Sequence, residues 1–159
     1  MDKKYMKMAL RQAQKAYENM DIPVGVVIVK DGEVIARAYN RKHTKKDPTC
    51  HAEILAIKKA CKKINDFRLE GADVYVTLEP CLMCYGALLS ARVKRIIFGA
   101  YDKRFGILDL QKHVQFNHNA EIMGGMMEKE CVDLLSKFFA DLRRQNANNS
   151  RTRKENSEE

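Results

Sequence analysis

No apolar run in this sequence is long enough to span a bilayer, which takes roughly 20 consecutive residues. The opening residues, Met1-Asp2-Lys3-Lys4-Tyr5, lack the apolar segment of a secretory signal. Both absences lead to the expectation of a cytoplasmic protein with no membrane partner. There is no internal repeat, so a solenoid or propeller is not expected. Nor is there an even complement of cysteines: the 5 present are scattered through a charged chain, which argues against a disulfide framework. In that setting a close cysteine pair points to metal or redox chemistry.

What is present fits one globular domain. The 159 residues suffice for a single sizeable core, and 45% are hydrophobic. Charged residues make up 31%, with a formal net charge of +8, which favours an acidic partner such as a nucleic acid. A solvated lysine-rich surface would give the same number, so charge alone does not choose.

The pattern predicts an amphipathic helix over 3–20, where Met6, Ala9, Leu10, Ala13, Ala16, Tyr17 and Met20 recur at spacings of three and four behind Asp2 as N-cap. Strands follow at Val24–Val29 and Val34–Tyr39, joined through Asp31-Gly32, a hairpin signal. Arg41 to Pro48 reads as a polar, basic loop. A helix is expected from Cys50 or His51 to about Lys63, a strand at Val74–Leu78, a helix over 81–91 opened by Pro80, and a strand at Arg95–Ala100. Tyr101 to Asn119 is irregular and long enough to be a functional loop. A fifth strand is expected at Glu121–Met126, and a last helix over 128–143 with Cys131, Leu134, Leu135, Phe138, Phe139 and Leu142 on one stripe. Residues 1–144 therefore form the domain, and 145–159, rich in Asn, Ser, Arg, Lys and Glu, form a tail expected to be disordered. Alternating strands and helices predict a three-layer α/β/α domain with a mixed sheet of about five strands.

Two fragments carry chemistry: His51-Ala52-Glu53 and Pro80-Cys81-Leu82-Met83-Cys84. Imidazole and thiolates suit zinc, and three protein ligands leave one coordination position for water, the mark of a catalytic rather than a structural zinc site. Residues two apart on a helix are about 200° apart around its axis, so His51 and Glu53 converge only on something beyond the helix N-terminus. Cys81 and Cys84 project near the start of the next helix, and two helix N-termini would favour anionic ligands. Glu53 then serves as the acid/base. Either fragment alone is weak, since His-x-Glu occurs on surfaces by chance and Cys-x-x-Cys is also redox spacing. In this order, with Pro80 before the first cysteine, they point to a catalytic zinc centre. Cys50 reads as core or loop sulfur, Cys61 and Cys131 as packing residues, and His43, His113 and His118 as loop histidines without ligand spacing.

His51-Ala-Glu53 with Pro80-Cys81-x-x-Cys84 resembles the signature of the cytidine deaminase superfamily. Within it the chain most resembles the bacterial tRNA-specific adenosine deaminases, through Ile22-Pro-Val-Gly-Val26, Asn40-Arg41, Asp47-Pro48-Thr-Cys-His-Ala-Glu53, Tyr75-Val-Thr-Leu-Glu-Pro-Cys-Leu-Met-Cys84, Gly86-Ala87 and Phe98-Gly-Ala-Tyr-Asp102. The resemblance implies a cytidine deaminase-like fold, one zinc ion per subunit, a homodimer, and conversion of adenosine to inosine at the wobble position of a tRNA anticodon, an arginine tRNA by family likeness. It gives Asn40 the role of hydrogen-bonding the flipped base, places Asp102 near the substrate strand, and matches Asn117 and His118 to an Asn-His pair facing the base or anticodon loop. Val24 and Ala52 are expected in the substrate pocket, between the first strand and the metal helix. The chain departs from the family's usual alanines at Val26 and Cys50, and from its small-residue segment at Gly106–Leu110.

The charge pattern is consistent with RNA. Arg41, Lys42, Lys45 and Lys46 immediately precede the metal helix, and Lys103, Arg104, Arg143 and Arg144 sit at other element ends, all candidates for phosphate contacts. Lys58, Lys59, Lys62 and Lys63 read as a solvated helix face. Two other readings stay open: a deaminase of a free base or nucleoside such as guanine, cytosine or cytidine, and a non-catalytic RNA-binding zinc protein.

Overall fold

The structure is a computed structural model in which residues 2–155 are described. Helix α1 (Lys3–Glu18) starts where Asp2 accepts the Lys4 N–H at 2.9 Å. It ends two residues earlier than the pattern predicts, because Met20 turns left-handed at φ 62°. Strands β1 (Gly25–Lys30) and β2 (Glu33–Tyr39) form the expected hairpin. Its two turn residues, Asp31 (φ 52°) and Gly32 (φ 75°), both take the left-handed conformation that a two-residue turn between twisted strands requires.

A short helix, α2 (Lys42–Lys45), lies inside the segment expected to be loop. Buried Asp21 caps it, accepting the His43 N–H at 2.6 Å and the Thr44 N–H at 3.1 Å. Helix α3 (Ala52–Ile64), strand β3 (Asp73–Leu78), helix α4 (Leu82–Ser90) and strand β4 (Arg95–Ala100) follow close to their expected places. The 101–119 stretch is irregular apart from one 3-10 turn at Gln111–His113. Strand β5 (Glu121–Met123) stops short of the expected Met126. There Gly124 packs so closely on the Phe98 ring that a Cβ would lie 2.4 Å from it, and Gly125 turns at φ 88°.

Helix α5 (Glu128–Glu155) corrects the reading of the C-terminus: residues 145–155 are helical where composition predicted disorder. That stretch has Ala147 as its one apolar residue but lacks glycine and proline, so an established helix can propagate through it. Residues 156–159 of the expected tail lie outside the described residues.

The sheet order is β2-β1-β3-β4-β5, antiparallel across β2-β1-β3 and parallel across β3-β4-β5. Alternate residues of β1 face opposite layers. Val26 and Ile28 join Ala52, Ala56, Leu88 and Phe98 under α3 and α4, whereas Val27 and Val29 join Met6, Ala9 and Cys131 under α1 and α5. This is the three-layer α/β/α arrangement with a mixed five-stranded sheet. Gly25 lets α1 sit directly on β1, since a Cβ there would fall 1.9 Å from the Ala9 carbonyl oxygen. The parallel pair β3-β4 sets the position of the site: both strands end, at Leu78 and Ala100, beneath the N-termini of α3 and α4.

Candidate active site and metal centre

His51 and Cys81 are the residues immediately before α3 and α4, each in extended backbone, and neither side chain caps its own helix. Both are thereby turned toward the gap between the two N-termini. Cys84, in the first turn of α4, is fully buried beneath them. His51 Nδ1 lies 3.5 Å from Cys84 Sγ and 3.8 Å from Cys81 Sγ. Zinc bonds of about 2.0–2.1 Å to nitrogen and 2.3 Å to sulfur in a tetrahedron place ligand atoms about 3.6 Å apart, so the three fit one zinc ion. Among the described residues these form the one group of three or more His, Cys, Asp or Glu ligands close enough to hold a metal, and no fourth protein ligand joins it.

The protonation pattern shows how tightly the three are coupled. The Cys81 thiol is brought down to about 4, chiefly by its hydrogen bond with Cys84 and then by His51. Cys84 is pushed up by the same contact and by burial, and His51 is raised by its contact with Cys81. Thiolate and neutral imidazole are the ligand forms, so zinc binding to these three side chains would release protons.

Glu53, in the first turn of α3, is 4% exposed. Burial pushes its carboxyl above the usual carboxylate range, and the Cys81 thiolate adds to the rise, while His51 and its own N–H pull the other way. A raised carboxyl next to a metal position is suited to holding and moving a proton near neutral pH.

His51, Glu53 and Cys81 form the floor of a cavity of about 410 Å³ lined also by Ile22, Val24, Asn40, Lys42, Ala52, Leu78, Glu79, Asp102 and Phe105. The cavity thus brings Val24, Asn40, Ala52 and Asp102 together with His51, Glu53 and Cys81. Asn40 donates from Nδ2 to the Ile22 carbonyl at 3.1 Å and accepts the Lys42 N–H on Oδ1 at 3.1 Å. One N–H and one lone pair of that amide are left for a ligand. Lys42, expected only as a phosphate contact, also lines the cavity.

Asn117 and His118 are not part of this cavity within the subunit. His118 Nε2 is 2.8 Å from the carbonyl oxygen of Val93, which precedes β4, whereas the cavity lies at the other end of that strand. Neighbouring Phe116 packs edge-on against Tyr85. Arg41 lies over the Tyr39 ring and Arg104 over the Phe105 ring. Lys45, Lys46, Lys103 and Arg143 are exposed, and Arg144 pairs with Asp141. A second cavity of about 720 Å³ adjoins the first, sharing Ile22, Asn40 and Lys42 and reaching Phe138, Phe139, Leu142 and Gln145 of α5.

Sequence reasoning missed Glu79, Phe105 and Asp21. Glu79 stood in the Thr77-Leu78-Glu79-Pro80-Cys81 run, and a carboxylate just before a metal-ligand motif was the available signal.

Residues 1–100 match the family described as the Cytidine and deoxycytidylate deaminase zinc-binding region. A tRNA-specific adenosine deaminase of Bacillus subtilis is 46% identical over 147 residues, covering 90% of this chain and 91% of that protein. A solved structure from a study of A-to-I editing by tRNA:A34 deaminases at the wobble position superposes with a TM-score of 0.81 at 39% identity, covering 84% of this chain and all of the other. A Bacillus subtilis guanine deaminase superposes with a TM-score of 0.63 at 33% identity, covering 76% of this chain and 83% of the other. With a ligand set that fits zinc, a buried glutamate beside it and this likeness over nine-tenths of its length, the chain belongs to the tRNA-specific adenosine deaminases, within the cytidine and deoxycytidylate deaminase zinc-binding family.

Proposed function

We propose that this chain hydrolyses adenosine to inosine at the wobble position of a tRNA anticodon. The observation that carries the chemistry is Glu53, a carboxyl 4% exposed beside a three-ligand metal position on the floor of an open cavity. A zinc-scaffold or RNA-binding role needs no such acid. His51, Cys81 and Cys84 would hold the zinc ion, which when bound would lower the pKa of a water to about 7 and so supply a nucleophile at neutral pH.

The chain's own residues do the rest. An anticodon-loop base is unpaired and is splayed out at low cost. Asn40 offers it the remaining N–H and lone pair, and Val24, Ala52 and Phe105 supply apolar wall. As water attacks purine C6, Glu53 takes its first proton and passes it to ring N1; it then takes the second proton from the new C6 hydroxyl and gives it to the amine, which departs as ammonia as the C6 carbonyl forms. Lys42, at the cavity rim, and Arg41, Lys45 and Lys46 beside it provide positive charge for the flanking phosphates. Lys103, Arg104, Arg143 and Arg144 extend the charge to the loop after β4 and to α5.

An arginine tRNA is the proposed substrate and a homodimer the proposed assembly. Support for the dimer is apolar surface beside the site. Leu82 and Met83 on α4, and Phe105 and Leu110 on the following loop, are all exposed, and a bridge between Cys81 and Gly106 brings the two segments together. A partner's surface would also bring Asn117 and His118 into reach of an RNA held between subunits. Five unpaired cysteines and a tRNA substrate suit the cytoplasm, and no helix among the described residues is long and apolar enough to cross a membrane.

The test is inosine formation on anticodon stem-loops carrying a wobble adenosine, the arginine sequence beside others, with free adenosine, cytidine, guanine and cytosine in parallel. Turnover of the stem-loop alone is expected. Turnover of a free base or nucleoside alone would overturn the substrate while leaving the zinc chemistry standing, and metal without ammonia from any substrate would overturn the enzyme. Light scattering at twice the chain mass is expected for the dimer, and loss of that mass in Met83→Glu would locate the interface.

A further inference from the structure

Glu79 is the one buried acid in the cavity wall that the chemistry above leaves unused. It follows the last residue of β3, and its own N–H donates to the Ala100 carbonyl at 2.8 Å, extending the β3-β4 ladder by one bond. Its side chain is 6% exposed and turns into the loop that comes off β4. Oε2 accepts the Asp102 N–H at 2.8 Å, and Oε1 accepts the Leu108 N–H at 2.9 Å. Between these two points the loop doubles back: the Gly106 N–H donates to the Asp102 carbonyl at 2.9 Å, and Asp102 Oδ1 accepts the N–H groups of Arg104 and Phe105. Gly106 lies so close to the carboxylate that an added Cβ would fall 2.2 Å from Glu79 Cδ. The same glycine forms the bridge to the metal residue Cys81.

We propose that Glu79 is a positioning residue, whose carboxylate pins the 102–108 loop at both ends and so holds Asp102 and Phe105 as the far wall of the substrate cavity. Both oxygens must be acceptors, because each faces a backbone N–H. An amide in the same place would turn an NH2 group toward one of them and leave that donor unsatisfied. A carboxylate gives charge-assisted bonds to two N–H groups, about twice the strength of neutral ones. Loosening this pin lowers the fraction of molecules with a formed cavity before substrate arrives. Bound substrate restores the wall, so the deficit falls on apparent affinity and not on the chemical step.

The kinetic arm rests on the proposed tRNA reading; the structural arm does not. Amide hydrogen exchange in the wild-type protein should show Asp102 and Leu108 protected while exposed Lys103 exchanges freely. In Glu79→Gln at least one of the two should lose protection. With the anticodon stem-loop, Glu79→Gln should raise KM about tenfold or more, the size of one lost charge-assisted bond, with kcat within about threefold and zinc retained. Gly106→Ala should give the same split, and the double variant should be no worse than the worse single one. Unprotected Asp102 and Leu108 amides in the wild type would overturn the proposal. So would additive effects, zinc loss, or a fall in kcat at unchanged KM in Glu79→Gln. Should the wild type fail to deaminate the stem-loop, the function reading falls and the exchange result still decides the pin.

Discussion

Glu53 concentrates the conflict between folding and catalysis in one side chain. Burial penalises its charged form, yet the acid/base role proposed for it requires it to exchange a proton beside His51 and Cys81. Glu53→Gln keeps the shape and removes the proton exchange. Turnover should fall by about 10²–10⁴-fold, the range for a lost general acid/base, with zinc content unchanged because Glu53 is not among the ligands. The same variant should melt at a higher temperature, because a buried ionisable group is replaced by a neutral one. Substantial residual turnover would remove Glu53 from the mechanism, and a lower melting temperature would show the carboxyl to be structurally needed. Cys131 is the contrasting case. On the face of α5 that packs against Gly99, its thiol is pushed by burial from 9.0 up to about 12. The protonated form is therefore favoured by folding, and that contribution is complete below pH 9.0 and is lost as pH rises toward about 12. Native protein at pH 8 should leave Cys131 unalkylated, and Cys131→Ala should flatten the alkaline fall in stability between those limits; an unchanged fall would exclude it as the cause. These residue-level features differ in how far they could be read from sequence. His51, Glu53, Cys81 and Cys84 were legible as one cluster because spacings of two and three residues at helix starts bring them together. Glu79 was not, because its bonds reach residues 23 and 29 positions further on, to a loop whose path no local pattern encodes.

At the scale of elements, period and turn chemistry gave the five strands and four of the five helices, and errors gathered where a distant side chain or a missing signal decides. Helix α2 exists because Asp21, 21 and more residues upstream, caps it from across the chain; composition alone made that stretch a loop. Helix α5 outran its expected end because apolar periodicity stops near Leu142 while nothing after it breaks a helix. Residues 145–154 of its extension are exposed, so truncation after Arg144 removes no core residue among them. It does remove Gln145, which lines the cavity next to the active site and donates to Met20 Sδ at 3.9 Å. It also removes Arg151, Arg153 and Lys154. The truncated protein should keep its unfolding free energy within the about ±0.5 kcal/mol typical of surface changes, and should keep its turnover of a saturating stem-loop while binding it more weakly. A large drop in melting temperature would show that the extension is part of the fold, and unchanged binding that it is not part of the RNA surface.

For the whole molecule, the net charge of +8 becomes informative through where it lies. Lys58, Lys59, Lys62 and Lys63 decorate α3 away from the cavity, and Lys59 and Lys63 hydrogen-bond to β2. Lys42, Lys45 and Lys46, by contrast, stand at or beside the cavity mouth on a helix that buried Asp21 and Asn40 hold in place. Salt separates the two groups. Each single-strand phosphate neutralised contributes about −0.7 to the slope of log affinity against log salt, so removing three such contacts should flatten that slope by about 2. Replacing Lys42, Lys45 and Lys46 with alanine should therefore weaken stem-loop binding most at low salt and bring the slope down by that amount, with zinc and kcat little changed. Replacing Lys58, Lys62 and Lys63 should leave the slope where it was. Equal flattening by both triplets would mean that RNA sees only the overall charge. No flattening by the first would detach the α2 run from the substrate and assign it to a solvated surface.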